Sequence, residues 1–327
     1  MTGKNRVTIT GMTTTPNAMR PVPALREALA IARLCVLEAR PSVLVISLLR
    51  FLAAAALGAG VAAAEGGTGD AGRACVAAAA WLGGVFAVYL FNGVMDRTED
   101  RVNGSRRPIV RGALPTRLAA QVTVAAAIVS LALMAAIGAD AVWALLLYLA
   151  IGIGYSGPPL YLKRRPITSS LTGMSLALLT YYAGFRSQAE IGASSVGVEL
   201  TLFMAAMVLW IGTVGMLSKD FSDISGDVAA GRRSIPARIG EAATLRLIVV
   251  CAFVLAISFC VAAGTFVRPL LWPGFVMLAG AVAMAAICLG PHAAKMPRRR
   301  LPYRAFMVTQ HACHSAAIIP LWVTPAI

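Results

Sequence analysis

Long apolar runs separated by short polar segments dominate this chain. A helix that spans a membrane needs about 20 predominantly apolar residues, and nine runs approach that length. They cover residues 42–64, 73–95, 117–137, 140–157, 168–186, 197–217, 243–264, 269–289 and 304–325. None of them alternates apolar and polar residues over most of its length, as strands of a membrane barrel do. The pattern therefore predicts an all-α integral membrane protein with nine transmembrane helices.

The composition supports a membrane protein and excludes other classes. Of the 327 residues, 58% are hydrophobic and 13% are charged, and the mean hydropathy is +0.76. A soluble globular protein carries roughly 25% charged residues. The apolar fraction is too high for a disordered chain. The six cysteines are scattered along the chain, which does not suit a secreted disulfide scaffold.

The positive charge is distributed unevenly between the two ends of the predicted helices. The formal net charge is +15, with 29 Lys and Arg residues. When the nine runs are threaded alternately, all but four of these 29 residues fall on the side of the N-terminus. The exceptions are Arg73, Arg186 and Arg268 on the other side, and Arg50 inside the first run. Loops rich in Lys and Arg stay in the cytoplasm, so the basic charge indicates topology rather than nucleic-acid binding.

The segment before the first run is expected to be a separate cytoplasmic tail. Residues 1–41 lack the early apolar core of a signal peptide, so we expect no cleavage. Residues 24–39 could form an amphipathic helix that lies on the cytoplasmic leaflet. Residues 42–327 then form one transmembrane domain.

Two acidic segments carry the candidate chemistry. The chain has 14 Asp and Glu residues, and six of them lie in these segments. Because an α-helix turns about 100° per residue, residues spaced by three or four share a face. The first segment, after the second run, contains Glu99 and places Asn92, Asp96 and Asp100 on one face. The second segment, after the sixth run, does the same for Asp220, Asp223 and Asp227.

Carboxylate and amide oxygens at this spacing suit Mg²⁺. The ion takes one or two carboxylates and completes its coordination with water and substrate phosphates. A diphosphate could bridge ions held by the two acidic segments. Cations that could contact such an anion lie nearby at Arg107, Lys163 and Lys219.

Simpler explanations exist for each of these features. Acids beside arginines at a helix end often form solvated surface pairs or helix caps. Two such segments at the same membrane depth favour a functional site, because charge near hydrocarbon is costly. His311, Cys313 and His314 have metal-capable side chains, but they lie inside the last run without a matching cluster, so we do not expect a zinc site.

Three stretches together resemble the UbiA superfamily of intramembrane prenyltransferases. NGVMDRTEDRVNGSRRPI, at 92–109, is similar to the first motif of that family, Asn-x-x-x-Asp-x-x-x-Asp followed by Arg-Pro. KDFSDISGDVAAGRRSIPARIG, at 219–240, resembles the second acidic motif. YSGPPLYLK, at 155–163, is similar to a stretch of the branch that prenylates homogentisate, chlorophyllide and archaeal lipid precursors. The resemblance covers residues 40–325.

The resemblance implies a helical bundle around a central cavity that opens to the cytoplasmic side. It implies that Asn92, Asp96, Asp100, Asp223 and Asp227, supported by Asp220, hold Mg²⁺ on a prenyl diphosphate. It also implies that Arg107 and Lys163 contact the diphosphate, with Lys219 nearby. The shorter Tyr-x-x-x-Lys motif of other members is absent, because Pro159 follows Tyr155 by four residues, so the role of Tyr155 is open.

Three functions fit these observations. The first is Mg²⁺-dependent transfer of a prenyl group to an aromatic or lipid-like small-molecule acceptor within the bilayer, with Arg50 and Tyr155 contacting the acceptor. The second is cyclisation of the prenyl chain by an enzyme of the same superfamily. The third is an ion-coupled transporter, although the acids lie on one side and only Arg50 lies mid-span. The sequence indicates no nucleic-acid partner and no obligate protein partner.

Overall fold

The structure is a computed structural model that describes residues 22–64, 70–102, 104–188, 197–229, 234–290 and 298–323. These residues are mainly α-helical and contain no β-strand. The helices are α1 (Val22–Glu38), α2 (Pro41–Ala64), α3 (Ala71–Met95), α4 (Arg97–Val102), α5 (Thr116–Ala135), α6 (Ala139–Ser156), α7 (Pro166–Arg186), α8 (Val198–Trp210), α9 (Met216–Ala229), α10 (Ile235–Ile239), α11 (Glu241–Phe266), α12 (Leu271–Cys288) and α13 (Leu301–Val323). The first half of the predicted tail lies outside the described residues.

Seven helical segments of the described chain are long and apolar enough to cross a membrane. They are Pro41–Ala62, Ala71–Met95, Thr116–Ala135, Ala139–Ser156, Val198–Ser222, Glu241–Phe266 and Arg268–Cys288. The two remaining predicted spans coincide with α7 and α13, which have 21 and 23 residues. Both helices carry more polar side chains, such as Thr172 on α7 and Gln310 on α13. That α7 and α13 also cross the membrane stays a prediction.

The outer surface of the bundle is apolar. On α11, Val250, Val254, Ile257 and Val261 recur at helical spacing, and each is more than half exposed. Aligned exposed apolar side chains of this kind are rare on soluble monomers, whose large apolar patches are usually covered. Together with the seven apolar helices, this surface indicates an integral membrane protein.

Close contact between α2 and α7 joins the two halves of the bundle. The helix α2 also packs against α3 on one side and against the last helix, α13, on the other. Gly184 on α7 allows the close approach, because a Cβ atom there would lie 2.2 Å from the backbone oxygen of Phe51. Small residues serve this purpose where lipid competes equally for apolar surface.

A π-helical segment interrupts the candidate span Val198–Ser222. Residues Ile211–Gly215 form this segment between α8 and α9, so the backbone runs as one continuous helix from Val198 to Ala229. A π segment is one extra residue accommodated in a helix and is frequent at functional sites. Here it places the second acidic segment on the same helical rod as a membrane span, rather than in a separate loop.

The chain turns sharply between α1 and α2. Arg40 has a φ angle of 62°, a left-handed conformation that is uncommon for residues other than glycine. Pro41 follows as the first residue of α2, where proline is favoured because its missing N–H is not needed there. The turn brings Glu38, at the end of α1, into the protein interior, where it is fully buried.

We expect Gly184→Ala to destabilise the α2–α7 contact. The added methyl group meets a backbone oxygen that cannot rotate away, and overpacking of this kind costs about 1–3 kcal/mol. Gly173 on the same helix is the matched control, because a Cβ atom there meets nothing within 4 Å. Thermal unfolding in detergent should show a lower melting temperature for Gly184→Ala than for the wild type. The melting temperature of Gly173→Ala should equal that of the wild type. Equal melting temperatures for the two variants would contradict the packing argument.

Candidate active site

A cavity of about 660 Å³ lies inside the bundle. Helices α2, α3, α4, α6, α7, α9 and α13 and the π segment contribute to its wall. Charged residues line it near the helix ends, and apolar residues such as Ile46, Val88 and Leu176 line it further along the helices. The cavity therefore combines a polar end with an apolar interior.

The first acidic segment forms part of the polar end. Helix α3 ends at Met95, but the backbone N–H of Asp96 still donates to the oxygen of Asn92 at 2.8 Å, and that of Asp100 donates to the oxygen of Asp96 at 2.8 Å. The helical spacing thus continues across the break between α3 and α4. Asn92, Asp96 and Asp100 consequently line the same cavity. Asn92 is held by a 2.9 Å hydrogen bond from its Nδ2 to Ser156 Oγ.

Lys163 links the first acidic segment to the turn after α6. Its Nζ atom forms an ion pair with Asp96 and lies 3.3 Å from Glu99 Oε2. The Lys163 side chain is only 6% exposed. A buried ammonium needs such partners because an unpaired charge away from water is very costly.

Arg107 forms a second buried ion-pair network beside Asp100. Its Nη1 donates to Asp100 Oδ2 at 2.6 Å, and its Nε lies 2.9 Å from Glu38 Oε1. Its Nη2 donates to the backbone oxygen of Glu38 at 2.7 Å. Nη1 and Nη2 thus donate hydrogen bonds within the protein, whereas Nε lies at ion-pair distance from Glu38 Oε1 without a hydrogen bond.

Arg40 is a further cation at the polar end. It lines the cavity from the turn between α1 and α2. Burial lowers the pKa of Arg40, but nearby groups, Asp100 first and then Tyr303 and Asp96, together outweigh this effect and leave its pKa above the ordinary value. Arg40 therefore stays charged and faces the first acidic segment.

A polar group lies deeper in the cavity, around Arg50. Its Nη2 donates to Gln310 Oε1 at 2.7 Å, whereas its buried Nε has no hydrogen-bond partner among the described residues. His314 Nδ1 lies 2.6 Å from the backbone oxygen of Gln310, and its Nε2 lies 2.6 Å from the hydroxyl of Tyr181. Since a carbonyl only accepts, Nδ1 carries the proton and Nε2 accepts from Tyr181. These contacts hold His314 of α13, one turn from the Gln310 that accepts from Arg50, in a defined orientation.

The second acidic segment lies on α9. Lys219 lines the cavity, and Asp220 is half-buried on the same helix. Asp223 and Asp227 follow on the helix backbone, but their side chains lie outside the described part of the structure. The structure thus places the acidic side chains of the first segment at the cavity. That the second segment faces them stays a prediction.

One cavity brings together most of the predicted site residues. Those that line it are Arg50, Asn92, Asp96, Asp100, Arg107, Tyr155, Lys163 and Lys219. Tyr155 also lies close to Ser169, with 3.3 Å between their hydroxyl oxygens.

Sequence reasoning did not single out Glu38, Arg40 and Gln310, which contact or line the same region. The only signal for the first two was their position directly before Pro41, at the start of a span.

The described residues offer part of a Mg²⁺ site. Among them, no three Asp, Glu, His or Cys side chains lie close enough to hold a metal ion together. Asn92, Asp96 and Asp100 nevertheless present three oxygen-bearing side chains to one cavity. Mg²⁺ is often bound by only one or two carboxylates together with substrate phosphates. This donor set therefore fits an ion that arrives with a diphosphate.

Comparison with known proteins identifies the family. Residues 51–309 match the UbiA prenyltransferase family. The chain belongs to this family.

Named relatives match over about half of the chain. A 2-acylphloroglucinol 4-prenyltransferase of Humulus lupulus is 30% identical over 171 residues, which is 51% of this chain and 41% of that protein. Digeranylgeranylglyceryl phosphate synthase of Halobacterium salinarum is 34% identical over 151 residues, 46% of this chain and 51% of that protein. The match thus covers about half of each relative's length or less.

Solved structures of UbiA homologs share the fold. The apo structure of a homolog from Aeropyrum pernix K1 has a TM-score of 0.64 and 22% identity, and covers 84% of this chain and 97% of that one. A homolog from Archaeoglobus fulgidus bound to GPP and Mg²⁺ has a TM-score of 0.55 and 20% identity, and covers 88% and 99%. At these identities the likeness concerns the fold alone.

We expect Arg107→Ala to destabilise the protein strongly. It leaves the buried carboxylate of Glu38 without its cation, and breaking a buried ion pair in this way costs about 3–5 kcal/mol. Arg106 is the matched control, because it is the neighbouring residue and is exposed. The melting temperature in detergent should fall for Arg107→Ala and stay near the wild-type value for Arg106→Ala. A similar small effect of both variants would show that the pair contributes little.

Proposed function

We propose that this protein transfers a prenyl group from a prenyl diphosphate to a small acceptor within the membrane and releases diphosphate. The observation that carries the proposal is the single cavity with acidic and cationic residues at one end and apolar residues further in. Membership of the UbiA prenyltransferase family supports it. The names of the hop and archaeal relatives point to aromatic or lipid acceptors.

The polar end of the cavity binds the diphosphate in this proposal. Lys163, Lys219 and Arg40 supply positive charge there, and Arg107 adds to it beside Asp100. When the carbon–oxygen bond of the donor breaks, its electron pair stays on the departing diphosphate. Preorganised positive charge at that position stabilises the transition state.

Mg²⁺ is the proposed cofactor. Asn92, Asp96 and Asp100 would hold it from the first acidic segment, and Asp223 and Asp227, with Asp220, from the second. When bound, the ion neutralises charge on the diphosphate leaving group. The Archaeoglobus homolog was solved with GPP and Mg²⁺, which supports this assignment.

The apolar interior receives the prenyl chain and keeps water away. Ile46, Val88, Leu176 and Phe306 provide this surface. Exclusion of water protects the allylic cation from hydrolysis. The acceptor then forms a bond to the cationic carbon, and its displaced proton passes to the departing diphosphate.

Arg50 orients the acceptor in this proposal, and Tyr155, which lines the same cavity, also contacts the acceptor. Arg50 lies nine residues after Pro41, which corresponds to about 13 Å along the helix axis. The Arg50 Nε has no hydrogen-bond partner among the described residues. In this proposal it donates to an acidic acceptor.

We also assign the polar end of the cavity to the cytoplasmic side. The Lys and Arg residues near this end, including Lys163, Arg107 and Arg300, agree with the positive-inside rule. Residues 1–41 then form the cytoplasmic tail, and residues 42–327 form the transmembrane prenyltransferase domain.

Asp96→Ala tests the proposal directly. We expect kcat/KM with Mg²⁺, a prenyl diphosphate and an acceptor to fall by at least about a hundredfold, because a group that acts on the leaving diphosphate is lost. Asp223→Ala should have the same effect. Asp140 is the matched control, since it is an exposed carboxylate paired with Arg186 at the opposite end of α7. Near-normal turnover of Asp96→Ala would refute its assigned role.

A panel of prenyl diphosphates of several lengths, given with and without acceptors, separates transfer from cyclisation. Strict dependence of diphosphate release on an acceptor supports transfer. Diphosphate release with a cyclic hydrocarbon product and no acceptor shows a terpene cyclase instead. No diphosphate release with any pair would refute both enzymatic functions.

Arg50→Met tests acceptor recognition. The variant keeps an unbranched side chain but removes the guanidinium group and its charge, and a hydrogen bond to a charged group contributes about 1.5–3 kcal/mol. We therefore expect the KM for an acidic acceptor to rise by about tenfold or more, with little change in the KM for the prenyl diphosphate. Arg186→Met, at the far end of α7, serves as the control. An equal rise for both substrates would show that Arg50 does not act on the acceptor.

A further inference from the structure

Glu38 connects helix α1 to the first acidic segment. It is fully buried at the end of α1, although it precedes the first membrane span. Its Oε1 lies 2.9 Å from Arg107 Nε, and its Oε2 accepts a 2.9 Å hydrogen bond from the backbone N–H of Ile109. Its backbone oxygen accepts from Arg107 Nη2. Both side-chain oxygens and the backbone oxygen thus hold the segment that follows Asp100.

The first acidic motif itself leaves room for this carboxylate. Gly93 directly follows Asn92, and a Cβ atom at position 93 would lie 2.4 Å from Glu38 Oε1 and 2.7 Å from Arg107 Nη2. The glycine therefore leaves the space that the ends of the Glu38 and Arg107 side chains occupy, and a larger residue here would displace them. Residues far apart along the chain meet at this one point.

The contacts of Glu38 with Arg107 orient the guanidinium group, and with it the Nη1 atom that contacts Asp100. Two of the three guanidinium nitrogens face Glu38, and the third, Nη1, donates to Asp100 Oδ2. The negative charge of Glu38 also offsets the positive charge of Arg107. Without Glu38, the full charge of Arg107 would face Asp100 and oppose a cation bound there.

We infer that Glu38 is a positioning residue of the active site. It fixes the guanidinium group of Arg107 and offsets its positive charge, so that Asp100, although in contact with Arg107, still attracts a divalent cation bound with diphosphate. The inference rests on the proposed function of the cavity. It gives α1 a part in metal binding, although α1 contributes no predicted metal ligand.

Glu38→Gln is the central test, because it keeps the shape of the side chain and one carbonyl acceptor while it removes the charge. Mn²⁺ binding in the presence of inorganic diphosphate is measured by electron paramagnetic resonance on the purified full-length protein. We expect the Mn²⁺ concentration for half-saturation to rise about tenfold or more, the effect typical of lost partners of metal ligands. The Mg²⁺ concentration for half-maximal turnover should rise in parallel, with kcat largely recovered at saturating Mg²⁺.

Two further variants separate positioning from folding. Glu27 lies on the same helix and is exposed. The Mn²⁺ binding of Glu27→Gln should therefore equal that of the wild type. Gly93→Ala keeps every charge but displaces the ends of the Glu38 and Arg107 side chains from each other's contact, so it should raise the half-saturating Mn²⁺ concentration as Glu38→Gln does. If Glu38→Gln does not fold, Gly93→Ala and Glu38→Asp carry the test.

Unchanged Mn²⁺ binding in Glu38→Gln and Gly93→Ala would overturn the inference, even if the wild-type protein transfers prenyl groups. A loss of folded protein with unchanged metal dependence would overturn it as well. Conversely, weaker Mn²⁺ binding in these variants supports the inference even if the wild type turns over no prenyl donor, in which case the proposed function alone fails.

Discussion

Pairing of opposite charges among largely buried side chains is the constraint on which the rest of this site depends. Asp96 and Glu99 face Lys163, whereas Asp100 shares Arg107 with Glu38. Each carboxylate would be costly to bury alone. Because cations from distant segments neutralise them, the chain can keep a dense group of acids beside an apolar interior. The same cations are then in place for an anionic ligand.

Local spacing made the first acidic segment predictable from the sequence. The four-residue interval from Asn92 to Asp96 to Asp100 survives the end of α3, because backbone hydrogen bonds continue across it. The apolar runs likewise predicted the positions of the long helices to within a few residues, except that the helix of the run 197–217 continues to Ala229. Two of these runs, α7 and α13, are less apolar than the others because they contribute polar side chains such as Ser169 and Gln310 to the cavity.

The parts of the site that depend on tertiary structure were not predictable. Glu38 and Arg40 look like ordinary residues of a charged tail, but Arg40, in a left-handed turn, lines the cavity and Glu38 is buried beside Arg107. Gln310 meets Arg50 across 260 residues of sequence, and no periodicity relates positions so far apart. The engagement of Arg107 by Glu38 was also hidden, since the motif alone suggests an arginine that is free to meet a diphosphate.

The π segment at Ile211–Gly215 has a consequence for how this helix can change over evolution. A π turn holds one residue more than an α turn, so each of its residues advances the helix by less than the 100° of an α-helix. Loss of a single residue here would restore a regular α-helix and preserve the apolar span. Because either kind of turn closes one full circle, the acidic positions of α9 would keep their direction after such a deletion. The segment therefore carries one extra residue beside the cavity, which Ile211 and Gly215 line, at no cost to the orientation of the residues that follow.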